Sequence, residues 1–415
     1  MSPTARTAAL VVVLAFAALA VDLSVVVVGL AVLAGVVLAD LLGVREEPRV
    51  RREAPQTAAR GVPTALALRQ AVSHPGAVRL RQPVPPDVEL MPSEADDELD
   101  ARLVAHRRGR MTLGRAAARR VGPLGLARRD FALLDEQELL VYPDLPAANR
   151  IVDSVRRGRF REEGHRQRGQ LGLGTEFESI REYLPDDDIR QVNWAATVRV
   201  GRPMSNQYRI EQDRDVVCVL DAGRLMGAPL AGGTRLDVAV DAVTAIAAVA
   251  EELGDRCGLV AFDAEIRRHV RPARRSARDI VAAVFDLEPT RIQSDYARAF
   301  QRIGGSKRAF VLVLTDLLEP AATQPLVDAL PIVARRHHVV VASARDPGLN
   351  ALLEAEPATA LDVHRAVAAA EMLAARERAA TGLRAARAVV VEAEPARLGA
   401  VCVQAYLRAK ARARL

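Results

Sequence analysis

Val216-Val217-Cys218-Val219-Leu220-Asp221 is an apolar run ended by a carboxylate, and runs of the same kind recur toward the C-terminus. Gly258 to Phe262, Phe310 to Leu314, Val339 to Ala342 and Ala388 to Val391 are equally apolar and do not alternate. A strand with one wet face alternates, whereas a strand covered on both faces reads as a continuous apolar run. Between these runs Leu236 to Leu253, Ala277 to Phe285, Gln324 to Arg335 and Leu361 to Ala380 carry helical patterning, and Arg397 to Arg408 reads as a last helix. Strands alternating with helices predict an α/β domain over residues 215–415, a mostly parallel sheet with helices on both faces. Such a sheet places its ligand site at the carboxyl ends of its strands. Two carboxylates fall on that edge, Asp221 after the first strand and Asp316 after Phe310 to Leu314.

Upstream, charges and aromatics reach a density found nowhere else in the chain. Glycines at 169, 172 and 174 lead into T-E-F-E-S-I-R-E-Y-L-P-D-D-D-I-R-Q-V-N-W-A-A-T-V-R-V-G-R-P-M, Thr175 to Met204. Glu176, Arg181, Glu182, Asp186, Asp187, Asp188 and Arg190 are placed to pair with one another. Phe177, Tyr183 and Trp194, the one Trp of the chain, are placed to shield those pairs from water. Charges paired in that setting define geometry more than they add stability. The expectation is therefore a structural hub containing a buried Arg190, with a partner-docking surface as the alternative. A catalytic reading would need one carboxyl of raised pKa in a dry pocket, and a cation would need more oxygens than adjacent residues of one turn supply.

These residues carry a family resemblance. E-F-x-x-x-R-x-Y (Glu176, Phe177, Arg181, Tyr183), the acidic pair Asp187-Asp188, R-x-x-N-W (Arg190, Asn193, Trp194) and T-x-R (Thr197, Arg199) look like the signature of the bacterial domain of unknown function 58 family. R-G-R-M-T-L-G from Arg108, P-L-G-L from Pro123 and V-Y-P from Val141 are also similar to that family. Asp186 stands where the family usually has Gly, and Val198 where it usually has Ala. The resemblance implies two N-terminal membrane spans, a β-sandwich-like segment, the signature, and a von Willebrand factor A-like (Rossmann-like) domain. It also implies a MoxR-type AAA+ ATPase as partner. In von Willebrand factor A domains the carboxylate after the first strand opens a metal-binding D-x-S-x-S loop. Here the loop reads Asp221-Ala222-Gly223-Arg224-Leu225, so Gly223 and Leu225 replace both hydroxyls. With Asp221 and Asp316 alone the cation shell is incomplete, and no metal or cofactor is expected. Arg224, folded inward, would neutralise the two carboxylates instead.

At the other end, Ala8 to Val21 and Leu23 to Ala39 are apolar runs separated by Asp22. Each is shorter than the roughly 20 residues a bilayer asks for, a gap that local thinning can close. A transmembrane helical hairpin over 1–43 puts Asp22 at its tip. One long span would instead bury Asp22 near the bilayer centre at about 2.5–3.5 kcal/mol. A third reading takes Ala18-Leu19-Ala20 as a signal-cleavage site, with the second run left as an anchor. Arg45, Arg49, Arg51 and Arg52 follow the second run, which puts the bulk of the chain on the cytoplasmic side of the cell membrane. Residues 44–97 read as a linker and the start of a β region, 98–165 as a small β-rich domain, and 166–214 as the signature segment.

Composition narrows the function. Half of the 415 residues are hydrophobic but only 3% are aromatic, which leaves little material for stacking nucleic-acid bases. Lys and Arg number 58 against 52 Asp and Glu, a mild bias toward acidic partners. Cys218, Cys257 and Cys402 lie far apart in apolar runs and read as buried, inert thiols. No P-loop, G-x-S-x-G or H-E-x-x-H is present. The expected function is a membrane-anchored, non-enzymatic adaptor that docks an AAA+ ATPase in assembly or maturation of an envelope complex. An outward-facing metal-dependent binding module and a hydrolase using the acidic run are the alternatives.

Overall fold

The computed structural model describes residues 2–17, 23–72, 77–158, 176–184, 187, 189–209, 214–230, 232–303, 308–317 and 320–411. Two compact units divide the chain, Met1–Tyr142 and Pro143–Leu415.

The first unit begins with two apolar helices, Ala5–Ala17 and Leu23–Gly43. Ser24–Gly43, with a mean hydropathy of 2.8 and only 11% of it buried, is long and apolar enough to cross a membrane. Ala5–Phe16 is apolar but shorter. Asp22, expected at the hairpin tip, lies outside the described residues. Apart from the short strand Ser2–Pro3, the strands begin at Val50, inside the stretch read as a linker and the start of a β region, and form sheets of five, four and three strands. They alternate cleanly, as in Glu98–Ala105 and Gly109–Leu113, where every second residue is buried. One apolar cluster draws Leu80 from the five-stranded sheet, Leu66, Leu68, Leu99 and Leu103 from the four-stranded one, and Leu113 and Leu139 from the third.

The second unit holds a six-stranded sheet: β1 (Asp215–Asp221), β2 (Arg256–Phe262), β3 (Ile266–Ala273), β4 (Ala309–Leu314), β5 (His338–Ala344) and β6 (Val389–Ala393). Their order is β3-β2-β1-β4-β5-β6, parallel except for β3 at the edge. Val216, Cys218 and Leu220 face one apolar cluster while Val217 and Val219 face the other, so β1 is apolar throughout because both faces are covered. All three thiols are buried, and burial pushes Cys402 up to about 12. The helix α1 (Arg235–Glu252) runs under the sheet, started by a capping box between Thr234 and Asp237.

Four local features depart from the sequence reading. The edge strand β3 was not expected, because its I-R-R-H-V-R-P-A alternates charge with half-buried residues. The expected helix Gln324 to Arg335 is two, Pro320–Ala329 and Pro331–Ala334, since Pro331 starts a new turn. Short helices also cover Tyr296–Arg302 and Pro347–Glu354. Finally, Leu145–Arg156 is helical and belongs to the second unit: its Ala148, Val152 and Val155 enter that unit's core, and Arg156 forks onto Glu252 at 2.6 Å.

Candidate functional site

The ends of β1 and β4 are neighbours at the point where the strand order reverses, the place where a doubly wound sheet opens a crevice. Asp221 closes β1 and is buried with both oxygens engaged. Its Oδ1 accepts the Gly223 N–H at 2.8 Å and the Ser294 hydroxyl at 2.5 Å. Its Oδ2 accepts the hydroxyls of Tyr296 at 2.9 Å and Thr315 at 2.6 Å. Ser294 fits because residue 223 is glycine: a Cβ there would lie 2.1 Å from the Ser294 Oγ. Burial pushes the Tyr296 hydroxyl well above its ordinary pKa, and the adjacent Asp221 charge pushes the same way.

Asp316 has a different partner. Arg235, in the first turn of α1, donates from Nη1 to Asp316 Oδ1 and to the Ala344 carbonyl, both at 3.1 Å. Arg376 donates to the same carbonyl and to the Ser343 hydroxyl, each at 3.1 Å, and pairs with Glu392. Two buried guanidiniums therefore share one carbonyl at the end of β5. Burial pushes the Asp316 carboxyl above its usual range, against the opposing pull of Arg235 and Arg376. A cavity of about 10 Å³ remains beside Arg235, Thr315, Asp316 and Ser343, room for roughly one water. This donor set does not fit a divalent cation. Asp221 is saturated by protein donors, Asp316 already faces a cation, and Gly223 and Leu225 supply no oxygen from their side chains.

The signature folds into a small lobe. Strands Glu176–Glu182 and Met204–Arg209 pair antiparallel, with the helix Trp194–Val200 between them. Asn193 caps that helix by accepting the Ala196 N–H at 2.9 Å, and its amide donates to Asn206 Oδ1 at 2.8 Å. Gly201, at φ 74°, ends the helix in the left-handed conformation that glycine adopts freely. The Thr197 hydroxyl accepts the Met204 N–H at 3.0 Å. Arg181 holds Asp187 at 2.6 Å, and the second oxygen of Asp187 accepts the Leu184 N–H at 2.9 Å. The Tyr183 hydroxyl donates to the Asp187 carbonyl at 3.1 Å. Desolvation raises the Asp187 pKa, but the bonds from Arg181 and Leu184 outweigh it and hold the carboxyl below its usual value.

Residues 179–380 match the model of the family described as "Protein of unknown function DUF58". Over that segment the chain is similar to this family. The match runs from inside the signature lobe into the helix Ala360–Ala385, so it takes in most of the lobe and most of the sheet. Uncharacterized proteins of Mycobacterium bovis and of the CDC 1551 and H37Rv strains of Mycobacterium tuberculosis are each 27% identical over 182 residues. That alignment covers 42% of this chain and 56% of each relative.

The signature residues separate into two groups. Arg181, Tyr183, Asp187, Asn193 and Thr197 hold the lobe together, whereas Arg190, Trp194 and Arg199 are exposed. The expected hub of shielded charges is corrected here: Trp194 is 68% exposed, and Arg190 is on the surface. A two-stranded hairpin with one short helix has too little apolar mass to bury an indole and a guanidinium. Glu176 and Phe177 lie on the first strand, and Asp188 lies outside the described residues. The expectation for Arg224 is also corrected. It is exposed, with its backbone N–H on the Ile292 carbonyl, and Arg235 supplies the guanidinium instead. Ser294, Tyr296, Thr315, Arg235 and Arg376 went unnoticed in the sequence; the one available signal was a Thr-Asp pair, Thr315-Asp316, directly after an apolar strand.

Proposed function

We propose that this chain is a membrane-anchored, non-enzymatic adaptor that presents its signature lobe to a protein partner. The observation that carries this reading is the apolar surface of the lobe. Ile189, Trp194 and Val198 are 70%, 68% and 84% exposed, and Trp194 and Val198 are one turn apart on the same helix face. Exposed aromatic and aliphatic residues on a rigid support are the usual anchors of an interface. The family resemblance names the partner class as a MoxR-type AAA+ ATPase, in assembly or maturation of an envelope complex. The second unit is read as a von Willebrand factor A-like domain whose sheet edge is internally neutralised and independent of a divalent cation. It is tethered to the cell membrane by the N-terminal helices, as a hairpin with the bulk of the chain cytoplasmic.

The test is binding of the full chain, in detergent, to a purified MoxR-type ATPase from the same organism. Trp194→Ala combined with Val198→Asp should abolish binding while leaving the melting temperature in place, since both side chains are exposed. Unchanged binding overturns the docking reading. A cytoplasm-only reporter fused to the C-terminus should be active; a silent one, with an active periplasmic reporter at the same site, reverses the orientation.

A further inference from the structure

Both membrane-proximal helix ends meet a single loop. The strand Ser2–Pro3 pairs with Ala127 and Arg128, and the hydroxyls of Thr4 and Thr7 donate to the carbonyls of Gly125 and Leu126 at 2.6 and 2.5 Å. From the far end of the second helix, Asp40 accepts the N–H groups of Leu124, Leu126 and Ala127 at 2.8–2.9 Å. Gly122 makes room for it, since a Cβ there would sit 2.3 Å from the carboxylate. The start of Ala5–Ala17 and the end of Leu23–Gly43 are therefore fixed to Pro123-Leu124-Gly125-Leu126. If these helices enter a bilayer, the loop lies at its surface.

The chemistry of that loop is two-sided. Leu124 is 56% exposed at its tip and Pro123 is exposed beside it. Arg6 passes over Gly125, its Nη1 2.7 Å from where a Cβ would stand. Arg45 follows the buried Val44, and its carbonyl accepts the Arg129 guanidinium at 2.8 Å. Arg6 and Arg45 are both exposed, and among the described residues neither side chain has a hydrogen bond or an ion pair. Several exposed arginines elsewhere on this unit are matched: Arg79 with Asp96, Arg110 with Glu138, Arg115 with Asp135 and Arg119 with Asp130. Arg6 and Arg45 differ from the other unmatched ones, such as Arg81 and Arg102, in lying where the loop holds the helix ends. Glu46 and Glu47 follow Arg45, so the local net charge is small and recognition must come from the guanidinium forks rather than a bulk field.

We propose that Arg6 and Arg45, beside the apolar tip Leu124, bind the phosphate headgroup of an anionic phospholipid. This rests on the reading that the helices enter a membrane. A fork-shaped donor matches a phosphate diester, and each basic residue at an anionic surface contributes about fivefold in affinity. The probe is dioleoyl-phosphatidylglycerol against dioleoyl-phosphatidylcholine, titrated onto the detergent-purified full chain and read by native mass spectrometry. Phosphatidylglycerol should bind at least tenfold more tightly, and Arg6→Gln with Arg45→Gln should erase that preference while the thermal melt stays unchanged. Arg6→Lys with Arg45→Lys should keep part of it, which a purely structural role would not explain. Equal binding of the two lipids, or a preference that survives the double Gln variant, overturns the proposal. So does displacement by millimolar inorganic phosphate, which would make the site one for free phosphate. Extraction of the wild-type chain from membranes by alkaline carbonate would instead sink the membrane reading beneath it.

Discussion

The carboxyl edge of the sheet and the signature lobe are built from the same residue types, and burial sends them to opposite ends. At the sheet edge Asp221, Asp316, Arg235 and Tyr296 are buried, and both carboxylates are matched by protein donors. In the lobe one pair, Arg181 with Asp187, is half-buried and locks a turn, while Arg190, Trp194 and Val198 face water. A charge cluster in a covered sheet must be neutral within itself, because an unmatched ion in low dielectric is costly. A hairpin with one short helix has no such interior, so its apolar side chains stay outside for another molecule to cover. The site the fold class would nominate is closed, and the surface it does not nominate is open.

The strongest way to break this comparison is at Arg235. Arg235→Met leaves Asp316 buried without its cation and should cost about 3–5 kcal/mol. The readout is faster amide exchange along Ala309–Leu314 and a lower calorimetric transition. Arg235→Met with Asp316→Leu should recover most of the loss; if the single variant melts like wild type, the edge is not an internally paired cluster.

Next in size is Gly223. Gly223→Ser restores a hydroxyl to the first loop but drives its Cβ against Ser294, an overpacking cost of about 1–3 kcal/mol. Ser294→Gly in the same chain should relieve it, and a stable single variant would show that the loop has slack. Excess Mg²⁺ should leave the wild-type melt where it is, because a ligand at a hundred times its Kd would add about 2.7 kcal/mol.

The lobe should respond more weakly, and through pH. The Asp187 carboxyl is held below its usual value when folded, so its contribution is fully present above about pH 4. It is lost as the pH falls through the depressed folded value. Because Arg181 is more than a third exposed, solvent screening keeps the pair below about 1 kcal/mol. Amide exchange at Leu184 should accelerate in acid, and Arg181→Gln should flatten that dependence. A pH-independent Leu184 amide would show that the turn does not rest on this pair.

The smallest expected effects are at the exposed residues. Arg190→Ala and Trp194→Ala should each shift stability by no more than about 0.5 kcal/mol, the range of surface substitutions. A loss of several kcal/mol from either would restore the buried hub and remove the contrast between the two regions.

Each sheet strand that is covered on both faces was legible in the sequence, as were the long apolar helix and the signature, because each declares itself within a few neighbouring residues. Val216 to Leu220 has to be apolar throughout if helices cover both faces, and Val25 to Ala39 is apolar without interruption. The edge strand β3 was missed for the same reason, since half of its residues face water and its pattern is diluted by arginine. What stands beside each buried carboxylate was decided only by the tertiary structure. Arg235 lies 81 residues from Asp316, and Tyr296 lies 75 from Asp221. Hydrophobic periodicity is a local property written along the chain, whereas the partner of a buried charge is set by strand order and helix placement. The sequence could thus locate the two acids at the end of the sheet, but only the packed sheet could supply the guanidinium and the hydroxyls that close them off.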